Sequence, residues 1–333
     1  MTPLIVEVVR GDMVESRHAV AVAVVDPQGA AVLAAGETGA LVYPRSAIKP
    51  IQALSVVESG AADAFGLGDA ELALASASHS GEPRHAALVA SWLARIGLGE
   101  SDLECGAHAP SDTAAALALA RSGAAPSALH NNCSGKHAGF LSVARQLGLP
   151  TKGYIAPGHE SQRRALAILA EMAGCDLAHA PHGVDGCGIP VAAMPLAALA
   201  RAWARFADPA HEPAERRAAI LRVRAAMTAE PFLVAGTGRF TTRVIAATQG
   251  AVLVKEGAEG VYCGAVPARG LGIALKAADG ASRAASVAIG EVLRRLGALD
   301  GAATALADAI QPTLRNHAAR AVGAIRVAAS GAP

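Results

Sequence analysis

The first spacing in the chain with nucleophilic potential lies in Tyr43-Pro44-Arg45-Ser46-Ala47-Ile48-Lys49-Pro50. Pro50 has no N–H to bond four residues back and is tolerated only in a first turn, so a helix running through Leu54 and Val57 begins near Ser46. Ser46 and Lys49 then stand three apart on one face. A lysine kept partly neutral by burial and neighbouring positive charge can take a serine proton, so this pair has the makings of a nucleophile and its base. Taken alone, the same residues also describe an N-cap serine followed by an exposed lysine.

Three further segments concentrate reactive side chains. Lys255-Glu256-Gly257 ends an expected strand and enters a turn. Serine acyl-enzymes of the β-lactamase and penicillin-binding class pair a helical SxxK with a lysine on a late strand, and place a serine-containing loop between them. Ser76-Ala77-Ser78-His79-Ser80-Gly81-Glu82 supplies such a loop here, although without the Ser-Asp-Asn of that class. Lys255 by itself reads as a solvated strand end; in this company it reads as functional. Asn131-Asn132-Cys133-Ser134-Gly135-Lys136-His137-Ala138-Gly139-Phe140 gathers a thiol, an amine and an imidazole at one helix start. It is not a phosphate-binding loop, because His130 and His137 stand where a Walker motif needs Gly and Ser or Thr. His182-Gly183-Val184-Asp185-Gly186-Cys187-Gly188-Ile189-Pro190 sets three glycines around one Asp and one Cys, which lets backbone approach a ligand closely. Neither Cys133 nor Cys187 has a second ligand at standard zinc spacing, so spacing alone names no metal site.

The elements that must position these residues fall into two groups. Leu4–Arg10, Val20–Val25 and Ala31–Ala35 are short β-branched or alternating runs, the last two joined by Asp26-Pro27-Gln28-Gly29 as a hairpin. Helical patterns follow from Pro83 (Leu88, Trp92, Leu93 and Ile96 on one face) and at about 113–121, 134–147, 159–173, 193–206 and 213–227. Strand signals return at Arg243–Ala247, Ala251–Lys255, Val261–Val266 and Leu271–Leu275, before a last amphipathic helix carrying Ile289, Val292, Leu293 and Leu296. Strands at both ends and helices between predict an α+β fold. Its mixed, largely antiparallel sheet is expected from about 1–40 and 240–333, with a mostly helical part at about 45–235, all in one domain spanning 1–333.

Composition removes other function classes. Lys+Arg number 29 against 28 Asp+Glu, a net charge of +1, and aromatics are 3%. The charge offers no field for a polyanion, and so few rings leave little for bases to stack on, so no nucleic-acid partner is expected. No uncharged apolar run approaches the ~20 residues of a spanning helix, and Met1–Val9 lacks the pattern of an export signal. Five cysteines without a CxxC pair fit a reducing compartment rather than a disulfide framework. The expectation is a cytoplasmic protein with no membrane partner.

Four segments together, YPRSAIKPIQAL at 43–54, SASHSGE at 76–82, NNCSGKHAGF at 131–140 and HGVDGCGIP at 182–190, resemble the rhizobial-type L-asparaginases, also called class 3 or asparaginase II. The likeness runs from about residue 4 to about residue 325. It implies a fold similar to serine β-lactamases and glutaminases, and hydrolysis of L-asparagine to L-aspartate and ammonia through a serine acyl-enzyme. It also implies two neighbouring Ser–Lys tandems, Ser46 with Lys49 and Ser78 with Lys255, and a zinc ion on Cys133, Lys136 and Cys187. The family's habit is a homodimer. Beside these motifs, Arg45 suits an α-carboxylate and Asp185 an α-ammonium, with His137 a third candidate contact; these three rest on charge complementarity. Cys105, Cys175 and Cys263 lie outside the motifs. Three rivals stay open: a serine β-lactamase or glutaminase-like acyl hydrolase, a hydrolase using zinc-bound water, and a non-catalytic amino-acid-binding protein on the same scaffold.

Overall fold

The computed structural model describes residues 1–329. Leu4–Arg10 (β1) reverses into Met13–Val25 (β2), and a turn through Asp26, closed by the Gly29 N–H on the Asp26 carbonyl, leads into Ala31–Ala35 (β3). After Leu41–Val42 (β4) the chain becomes helical. A 3-10 turn, Arg45–Ile48, runs into Lys49–Glu58 (α1), followed by Ala61–Ala64 (α2), Asp69–Ala75 (α3), Pro83–Arg95 (α4), Thr113–Arg121 (α5), Ser134–Gln146 (α6) and Glu160–Ala173 (α7). Short strands His182–Val184 (β5), Pro190–Ala192 (β6) and Met194–Pro195 (β7) precede Leu196–Ala207 (α8), Ala214–Ala229 (α9), Pro231–Ala235 (α10) and Phe240–Ala247 (α11). Leu253–Glu256 (β8), Val261–Val266 (β9) and Leu271–Ala277 (β10) resume the sheet; Ser282–Arg295 (α12), Ala303–Ile310 (α13), Thr313–Arg315 (β11) and Ala321–Val327 (β12) complete it.

The main sheet has the order β11-β12-β1-β2-β10-β9-β8, with β3 also on β2. It is therefore assembled from both ends of the chain, as the distribution of strand signals predicts. Every pairing among the described residues is antiparallel, so the mixed character expected of the sheet is absent. Alternation along β2 explains the layering. Ala23 and Val25 pack into a core with α1, α6, α7 and α8, while Val20, Val22 and Val24 face α12 and α13 on the other side. Among the described residues no helix is long and apolar enough to cross a membrane.

Two expectations fail. Arg243–Ala247 is not a strand but lies in α11, where Val244 and Ile245 are buried on one side of a helical turn. A short apolar run has no period long enough to separate the two readings. The helix at Ser282–Arg295 is also not the last element, because α13, β11 and β12 follow it.

Candidate active site

Ser46 is presented by strain. Arg45, the residue before it, sits at φ 51, a left-handed conformation unusual for a residue with a side chain. The 3-10 turn then delivers Lys49 as the first residue of α1, with Pro50 in the first turn where its missing N–H costs nothing. From the opposite side the end of β8 meets this turn: a Cβ on Gly257 would lie 2.8 Å from the Pro44 carbonyl oxygen, so only glycine allows the approach.

The two lysines converge on one serine. Lys49, fully buried, donates through Nζ to the carbonyl of Ala77 at 2.6 Å, to Ser78 Oγ at 3.1 Å and to the carbonyl of Asn132 at 3.3 Å. Lys255, equally buried on β8, reaches the same Ser78 Oγ at 2.8 Å and its own neighbour's carbonyl, Glu256 O, at 2.8 Å. The second tandem is thus a direct contact. In the first, Lys49 turns from Ser46 to Ser78, and Ser46 shares with Ser78 only the wall of a common cavity. Ser78 is held by its N–H on the Val234 carbonyl, while His79 Nε2 meets Ser134 Oγ at 2.9 Å and ties the loop to the start of α6.

Burial drives the Lys255 amine down to about 7, with the Lys49 and Arg239 cations adding to the effect and the Glu256 carboxylate opposing it. Glu256 lies 3.2 Å from Lys255 Nζ and also receives Arg239 and the Thr241 hydroxyl, whose oxygen meets Tyr262 OH at 2.6 Å. Burial alone would push the Glu256 carboxyl up, but these partners hold it below the ordinary carboxylate range. A hydroxyl has one proton to give and two lone pairs to accept with. With Lys255 neutral, Ser78 can give it a proton while accepting one from Lys49, a relay rather than a static bond.

The second cluster lies at the start of α6. Cys133, Lys136 and Cys187 are all buried, and Lys136 Nζ lies 3.1 Å from Cys187 Sγ. The Cys187 hydrogen bond, with Lys136 and Lys49 nearby, pulls the Cys133 thiol well down; contact with Cys133 and burial push Cys187 up. The two sulfurs hold Lys136 up at about 12 against its burial. Among the described residues no group of three His, Cys, Asp or Glu could hold a metal. The donors here are two sulfurs and an amine, a mixed S/N set of the kind zinc accepts once the amine has given up its proton. The residues fit.

Arg45 and Asp185 meet each other, with Arg45 Nε and Nη2 on Asp185 Oδ1 at 3.1 and 2.9 Å. His137 is buried, its Nδ1 2.6 Å from Tyr154 OH, and its Nε2 has no partner among the described residues. Tyr154 OH already accepts the Glu104 N–H, so its proton points to Nδ1. That leaves the His137 proton on Nε2, a buried donor without an acceptor among the described residues. Burial keeps this imidazole well below its usual range, hence neutral.

Ser46, Ser78 and Asn132 line a cavity of about 450 Å³ shared with Arg239, Tyr262 and Arg283. Sequence reasoning names neither Arg239, Thr241 nor Tyr262, which belong to no motif, nor Tyr154, whose role depends on a contact 17 residues away. Glu256 is visible in the sequence as an acidic neighbour, but its partners are not.

The family model for L-asparaginase II matches residues 6–327. No curated protein matches the chain. Among solved structures, a β-lactamase from Mycobacterium bovis is 16% identical, covering 79% of this chain and 88% of its own, with a TM-score of 0.38.

Proposed function

This chain belongs to the L-asparaginase II family, and on that premise we propose that it hydrolyses the side-chain amide of L-asparagine to L-aspartate and ammonia. The observation that carries the reading is the pair of buried lysine amines on Ser78 Oγ, one of them brought down to about 7, beside a cavity that Ser46 also lines. Such a base is matched to work near neutral pH.

Ser46 attacks the amide carbon. It is the serine held out by the strained Arg45 turn, whereas Ser78 Oγ is held between the Lys49 and Lys255 amines. Ser78 hands a proton to Lys255 as it takes one from Lys49, and the Ser46 proton replaces the one that Lys49 gives up. The C–O bond of the ester forms, the C–N bond breaks, and the proton returned to nitrogen lets ammonia leave. Water then gives a proton to the same relay and attacks the ester, releasing the β-carboxylate and restoring Ser46. The oxyanion of both steps is assigned to two backbone N–H groups at the cavity wall, those of Ser46 and Ala258, neither spent on a turn among the described residues.

Arg45 and Asp185 offer opposite charges to the α-carboxylate and α-ammonium of the substrate, exchanging their mutual ion pair for two pairs with the ligand. The unpartnered His137 Nε2–H is a third contact. Zinc would be held by Cys133, Lys136 and Cys187, where it would supply positive charge that fixes the substrate and its neighbours. The assembly is proposed to be a homodimer, which sedimentation at micromolar concentration would report.

The test is ammonia release from L-asparagine and from L-glutamine, wild type beside Ser46→Ala, with metal content measured on the same samples. Release from asparagine that falls by about 10⁴-fold or more in Ser46→Ala is the expected result. No release from zinc-loaded wild type would leave an amino-acid-binding protein as the better reading.

A further inference from the structure

Asparagine sheds only ammonia, yet the cavity beside the serines holds about 450 Å³, within the range that buries drug-sized ligands. Its lining is not that of the α-amino-acid contacts. Arg45, His137, Asp185 and the three candidate zinc ligands do not line it. Its wall includes, besides the serines, Arg239, Tyr262 and, from the first turns of α12, Ser282, Arg283 and Ser286.

This part of the lining is cationic. Arg283 donates through Nε to His18 Nε2 at 3.2 Å, and His18 Nδ1 is in turn 2.5 Å from Asp279. The terminal nitrogens of Arg283 have no acceptor among the described residues. Arg239 spends one N–H on Glu256. The start of the 14-residue α12 adds its partial positive charge at the same place. The cavity thus offers several N–H donors and positive charge on a wall that the α-amino-acid contacts do not share.

The direction of the reaction decides what these arginines would meet. The leaving nitrogen must face the group that protonates it, and that group is the Lys255–Ser78 pair, whose Ser78 lines this cavity together with both arginines. We propose that the same serine site also cleaves β-aspartyl peptides, asparagine derivatives whose leaving amine belongs to a second amino acid, with Arg283 and Arg239 binding that residue's α-carboxylate. The inference rests on the asparaginase reading above and extends it to the leaving group. Ser46 Oγ forms the ester as the isopeptide C–N bond breaks, and the relay returns its proton to the departing amine. Water then cleaves the ester, so one dipeptide and one water give aspartate and one free amino acid.

The experiment compares L-asparagine, β-aspartyl-glycine and β-aspartyl-ethylamide on the purified enzyme, following released amine by chromatography. Glycine and aspartate are expected in equal amounts, with kcat/KM for the dipeptide about tenfold above that for the ethylamide, which lacks the carboxylate. Arg283→Gln should lower the dipeptide value by about tenfold and leave asparagine turnover unchanged, which also shows that the variant is folded. Normal asparagine turnover with no release of glycine overturns the inference alone. Equal rates on dipeptide and ethylamide, or equal slowing of both in Arg283→Gln, overturns the carboxylate contact. Failure on all three substrates overturns the asparaginase reading with it.

Discussion

Lys255 is set between two opposed influences: burial that drives its proton off and a carboxylate 3.2 Å away that keeps it on. The groups facing it are Ser78, Glu256, Arg239, Lys49 and, across the strand pair, Cys263. A base must be neutral to act, so kcat/KM for asparagine should rise with pH through about 7. It should be low below about pH 6 and level above about pH 8. Replacing Glu256 by Gln removes the charge that holds the proton, so the acid limb should move to lower pH and the plateau should fall as the base weakens. An unmoved limb in a pH–rate profile would exclude Lys255 as the titrating base. The serines separate in the same way: Ser78→Ala should cost about 10³-fold in kcat while a trapped acyl-enzyme can still form. Ser46→Ala should leave no acylated serine by mass spectrometry. The residue types and order of this site are readable in the sequence, but the pairing is not. An i, i+3 spacing suggests that Lys49 serves Ser46, whereas its long side chain reaches a serine 29 residues further on and two carbonyls of other segments.

Each segment of the site is fixed by an element packed tightly against a neighbour. The start of α6 carries Cys133, Lys136 and His137, and it lies so close to α3 that a Cβ on Gly135 would stand 2.3 Å from the Leu74 carbonyl oxygen. Backbone cannot yield there as a side-chain tip can. Gly135→Ala should therefore destabilise the protein by about 3 kcal/mol, toward the upper end of overpacking costs, read as a lower urea midpoint. The turn between β5 and β6 brings Cys187 to the same place. If zinc organises substrate there, Cys187→Ala should abolish metal content and raise KM for asparagine more than it lowers kcat. Equal loss in both would assign the metal another role. Helices with a clear start are legible from sequence: Pro83 and the polar run before Ser134 mark α4 and α6. Phe240–Ala247 deceives because its β-branched Thr241, Thr242, Val244 and Ile245 favour strands locally, while burial of Val244 and Ile245 between neighbours selects the helix.

At the scale of the whole chain, the site is a product of closure. Ser46 comes from the segment after the N-terminal strands, Ser78 from the helical insertion and Lys255 from the returning sheet, so the Lys255–Ser78 bond spans 177 residues. The sequence makes this two-ended sheet visible because strong β signals lie at both ends. It hides β11 and β12, since a three-residue strand and an Ala- and Gly-containing edge strand carry too little alternation to stand out. Yet β12 covers β1, with Val8 opposite Ile325, and β1 leads through β2, β10 and β9 to the β8 strand that bears Lys255. If the sheet behaves as one unit, no part of the site can open before the rest. Asparagine hydrolysis and far-UV circular dichroism should then be lost at the same urea concentration. Activity lost well before the dichroism change would mean that the loops carrying Ser46 and Ser78 unfold separately, and that the antiparallel ladder does not transmit its stability to them.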